Sequence, residues 1–156
     1  MSPHSELDRS YANPMAAALP LASVFPAFSD AARDAVPRDL IARVAGADPA
    51  WTPAARDTFS AAEADRQRDR LVCLLVADLL QAEIAAHDAA ADAPEARAAA
   101  ARCVLGLRVL RPAMLRQGHD LDTLATGPVE IARAMVERVQ ASKTDADYRM
   151  LQVTLH

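Results

Sequence analysis

The chain has 156 residues, enough for one domain with a continuous core, and a formal net charge of −4. Hydrophobic residues make up 52% of it but aromatics only 4%, so Ala, Leu and Val carry the apolar content, which suits helix packing better than a sheet. The 4 glycines are too few for the turns of a multi-stranded sheet, and the acidic balance argues against a mainly electrostatic nucleic-acid binder.

Residues 1–14 are polar and aperiodic and are expected to form a disordered N-terminal tail, leaving 15–156 as a single helical domain. Residues 15–28 mix apolar side chains with Pro20 and Pro26, so short helical turns lying on the core are expected, anchored by Phe25 and Phe28. The same segment is a candidate partner-binding arm. Ser29 is a natural N-cap for a short helix that must stop near Val36, because Pro37 follows. Residues 38–45 suggest another short helix, and Trp51 before Thr52 and Pro53 suggests a staple at a helix start.

The strongest helix begins at Ser60, where Ser60 and Glu63 have capping-box spacing, and is expected to run to about His87. Its first half, 63–70, is polar on every side, whereas 71–80 is apolar on nearly every side. The second half must therefore be buried all round, and the first projects into solvent or against a partner. Asp92, Pro94 and Glu95 open the next helix, which is expected to reach about Arg111 before Pro112 kinks or ends it. Gly118, His119 and Asp120 form a turn, and Gly127–Pro128 opens a further amphipathic helix over 128–141. Thr144 can cap a last helix on which Tyr148, Leu151 and Leu155 share a face. The fold expected is all-α, an irregular multi-helix bundle around a central antiparallel helical hairpin of about 61–88 and 93–111.

Few residues stand out chemically. Asp78 interrupts the apolar run, with Leu71, Leu74, Leu75 and Ala82 as its same-face neighbours; an unpaired carboxylate there would be costly. A salt bridge to Arg102 or Arg108 of the facing helix is the favoured explanation, and a polar ligand site in the bundle core is the other. Arg97, Arg102, Arg108, Arg111 and Arg116 form a basic island that either meets an anionic partner or neutralises the acidic helix beside it, the second being favoured. No aromatics are interleaved with these arginines to stack on bases.

Glu83 and His87 lie four apart, as metal ligands on one helix face would, but a solvated helix end explains them better. Cys73 and Cys103 read as small buried hydrophobes in a reduced, cytoplasmic setting, and whether they meet is left open. A helix-turn-helix over 119–139 is disfavoured, since Glu130 and Glu137 would face phosphates. Every basic residue except Lys143 is an arginine, which together with the abundant Ala reads as a GC-rich, bacterial-type composition. No motif implies a metal or cofactor, no Lys/Arg-led signal peptide is apparent, and no run reaches the ~18 apolar residues of a membrane span.

The function expected is a non-enzymatic protein–protein interaction module that binds another protein or itself. Phe25, Phe28, Tyr148, Leu151 and Leu155 are its candidate contacts. Two alternatives are a bundle binding a small ligand or metal near Asp78, and a nucleic-acid-binding regulator using the arginine island.

Overall fold

The computed structural model describes residues 20–36, 61–121 and 127–143. The expected tail, the helix over 38–45, the Trp51 staple, the Ser60 cap and the terminal helix bearing Tyr148, Leu151 and Leu155 lie outside the described residues. The fold is all-α, with no strand among the described residues. In chain order the elements are α1 (Leu21–Val24), a 3-10 turn (Phe25–Ala27), α2 (Asp30–Asp34), α3 (Ala61–Asp88), α4 (Ala93–Arg116) and α5 (Pro128–Ala141).

The hairpin of α3 and α4 is the centre of the bundle and its most extensive packing. Leu71, Cys73, Leu74, Leu75, Val76, Ala77, Leu79 and Leu80 of α3 are all buried, so this half of the helix is enclosed on nearly every side, as its composition requires. In its polar half Arg66 is exposed, whereas Gln67, Arg68, Asp69 and Arg70 are half-buried. The chain reverses through residues 89–92, and Asp92 caps α4 by accepting the Glu95 N–H at 2.9 Å. Glu95 reaches back to the Ala91 N–H at 3.0 Å, just before the cap, so the carboxylates of Asp92 and Glu95 each accept a backbone N–H at this helix start.

Pro112 neither ends nor interrupts α4, which continues to Arg116. A proline inside a helix costs ~3 kcal/mol through its missing N–H and its clash with the preceding turn. Two features offset this. Ala113 and Met114, immediately beyond it, are completely buried. The helix then closes with a Schellman motif: Gly118 at φ 85° lets its N–H reach Leu115 O at 3.0 Å while the His119 N–H reaches Met114 O at 3.1 Å.

Gly127, at φ 97°, leads into Pro128 at the start of α5. Ion and hydrogen-bond pairs at its two ends fix its direction. Arg133 meets Asp88 at 3.1 Å, and Arg70 donates to Ser142 O at 2.8 Å, so α5 runs antiparallel to α3 and parallel to α4. Val129, Ile131, Ala132, Met135, Val136 and Val139 form its buried face.

Residues 20–36 lie across the hairpin. Leu21, Val24, Phe28, Ala32 and Val36 are buried at intervals of three or four positions, continuing one apolar stripe through both short helices and the turn between them. Phe28 enters where α4 has Gly106. A Cβ added there would lie 2.6 Å from Leu80 Cδ2 and 3.4 Å from Phe28 Cζ, so the missing side chain is what lets the two helices and the ring meet.

Gly106→Val is therefore expected to destabilise the fold by about 1–3 kcal/mol through overpacking, read by urea denaturation. Gly106→Ala should cost less, because the gain of ~1 kcal/mol in helix propensity works against the contact with Leu80.

Candidate functional site

The most constrained polar group in the described structure is Glu83, whose side chain is fully buried. It lies on the core stripe of α3, at helical spacing from Val76, Leu80 and His87. The Ser29 N–H donates to Glu83 Oε1 at 3.3 Å and the Ser29 hydroxyl donates to the same oxygen. Arg102 Nε of α4 donates to Oε2, completing an ion pair. Ser29 Oγ also accepts the Ala32 N–H at 3.2 Å, so one hydroxyl caps α2 and grips the carboxylate. Three elements distant in sequence converge on this side chain.

This arrangement corrects two expectations. Arg102 pairs with Glu83 and not with Asp78, and Glu83 is no part of a solvated helix end. Asp78 is only half-buried and lies against the end of α5. Burial raises its carboxyl above the ordinary range, opposed by the Lys143 charge and a hydrogen bond with Gln140. Arg108 is half-buried and its Nε, itself buried, has no hydrogen-bond partner.

The arginine island divides among different roles. Arg116 makes a two-pronged pair with Asp69 of α3, both contacts at 2.8 Å, whereas Arg102 meets the buried Glu83 through Nε alone. Arg97 is exposed and Arg111 half-buried. Arg102 and Arg116 thus neutralise carboxylates of the neighbouring helix.

The remaining candidates fall as follows. Phe28 is 3% exposed and part of the core, which removes it from the accessible surface in this conformation, while Phe25 is partly buried against that core. His87 contacts Asp88 at 3.2 Å, away from the Glu83 carboxylate that Ser29 and Arg102 hold. Among the described residues no group of three or more His, Cys, Asp or Glu is placed to hold a metal ion. None of their helices is long and apolar enough to cross a membrane.

Cys73 and Cys103 are both buried free cysteines and do not meet. Cys73 approaches Gln117 Oε1 at 3.9 Å, at the far end of the hairpin from Glu83, whereas Cys103 has Glu83 as its strongest charged neighbour. Burial pushes both thiols up to about 12. At the α4 terminus, burial and then Arg138 and Arg70 hold the His119 imidazole below its ordinary value.

Comparison with known protein families, curated proteins and solved structures gives no match to this chain.

The Asp78 carboxyl is raised on folding, so the folded state is favoured fully in acid and loses that contribution as pH rises through the folded value. Asp78→Asn should accordingly raise the melting temperature near pH 7 and give no such gain near pH 3. The thiols shift in the same sense: stability is retained below their ordinary value of 9.0 and declines as pH climbs toward about 12. At about pH 8 a thiol-specific reagent should label neither cysteine until denaturant is added.

Proposed function

We propose that the chain is a non-enzymatic helical protein–protein interaction module, an adaptor, chaperone or regulator that acts in the cytoplasm and binds another protein or a second copy of itself. The observation that carries this reading is that, among the described residues, the side chains that stand out chemically are engaged in holding the fold. Glu83 is enclosed by Ser29 and Arg102, Cys73 and Cys103 are buried with thiols raised to about 12, and Asp78 leans on Gln140 and Lys143. That distribution leaves surfaces, more than a reactive cleft, as the means of action.

The alternatives draw less support. A ligand site near Asp78 called for a carboxylate set within the bundle core, and Asp78 of α3 is half-buried against the end of α5. A nucleic-acid surface called for five available arginines, and Arg102 and Arg116 are spent on Glu83 and Asp69.

Size-exclusion chromatography with light scattering tests the reading on the full chain and on a Tyr148→Ala, Leu151→Ala, Leu155→Ala variant. A dimer or larger species that the triple change reduces to a folded monomer is the expected result. A monodisperse monomer that captures no protein from its host would overturn the proposal.

A further inference from the structure

We infer that residues 20–36 form a detachable strap, latched to the α3–α4 hairpin where Ser29 meets the Arg102-paired carboxylate of Glu83, which opens as a unit while the hairpin stays folded. Its elements are α1, a 3-10 turn and α2, of 4, 3 and 5 residues. Helices this short have no stability of their own in water, so their order depends on docking. The strap's docking rests chiefly on one apolar stripe, Leu21, Val24, Phe28, Ala32 and Val36, with Phe25 partly buried beside it and Ser29 bonded to Glu83. The hairpin, by contrast, has helices of 28 and 24 residues packed along their length. Local opening begins where the buried contacts are fewest.

Glu83 sets the strength of the latch. With the strap closed, its carboxylate is dehydrated and depends on Ser29 and Arg102 for donors. With the strap lifted, water replaces Ser29 at the carboxylate while Arg102, 24% exposed, remains beside it. The cost of burying the charge thus belongs to the closed state alone, and it opposes the apolar gain of the stripe. A carboxylate on the core stripe makes the strap's attachment weaker than an apolar side chain would, and makes it depend on the guanidinium.

Hydrogen exchange read by mass spectrometry on the full chain tests this, comparing residues 20–36 with 71–80 and 99–114. Arg102→Ala removes the cation in both states, but water solvates the Glu83 charge when the strap is open. The charge is left dehydrated without its cation only when the strap is closed. Exchange in 20–36 should rise on the order of a hundredfold, the scale set by depriving a buried carboxylate of its cation, with the hairpin peptides unchanged. Adding Glu83→Gln to that variant removes the charge, keeps an oxygen for Ser29, and should restore most of the protection. Phe28→Ala, which removes the strap's anchor without touching the ion pair, should likewise raise exchange in 20–36 alone. Loss of hairpin protection in step with the strap in either single variant overturns the proposal. So does unchanged exchange in Arg102→Ala, or failure of Glu83→Gln to reverse it.

Discussion

A carboxylate can be taken out of water only if protein donors replace its hydration, and Glu83 finds three of them in two other elements, the Ser29 N–H and hydroxyl and Arg102 Nε. The position of each element follows from that need. α4 must present Arg102 at the level of Glu83, which fixes how the hairpin is staggered, and residues 20–36 must bring Ser29 over the same point. The apolar stripe from Leu21 to Val36 could slide along the hairpin at little cost in buried area, because apolar contact is not directional. Ser29 and Glu83 choose one register among those.

Shape completes what charge begins. Gly106 sits a single helical turn beyond Arg102, and the space it leaves is filled by Leu80 from α3 and Phe28 from the preceding segment. The residue before Ser29 therefore packs against the hairpin while Ser29 itself bonds to it, so a steric key and a polar key act on adjacent positions. The opposite side of α3 is held differently. Asp88 with Arg133 and Arg70 with Ser142 sit at the two ends of α5 and set its direction, while the buried valines and Met135 between them supply the contact.

The all-α class and the hairpin were legible in the sequence because they rest on periodicity and caps: Asp92, Gly118 and Gly127 do what their residue types suggest. The extent of α4 was not legible, because the cost of Pro112 is local whereas the burial of Ala113 and Met114 that offsets it comes from distant elements. The same limit explains the exchange of roles between Asp78 and Glu83. Asp78 drew notice by interrupting an apolar run, yet it faces the half-open side of α3 toward Gln140 and Lys143. Glu83 stands among Ala82, Ile84 and Ala85 and looked like part of a fading helix end. Its stripe with Val76 and Leu80 was the available signal, but only the docking of Ser29 encloses it. Within the arginine island, Arg102 and Arg116 meet carboxylates of α3, and which acid each meets follows from the stagger of the hairpin, which no local pattern encodes.

The contact between Ser29 and Glu83 joins positions 54 apart, with the earlier one placed on the later ones. During synthesis, residues 20–36 leave the ribosome before the hairpin that receives them has been made. At roughly 5–20 residues per second, Phe28 and its apolar neighbours wait several seconds with no surface to cover them. The nascent chain is thus exposed to premature association at its own N-terminal stripe, and the short helical turns, interrupted by Pro26, are too brief to stack stably on a neighbour's. A segment made before the surface that receives it gains from being a poor helix on its own.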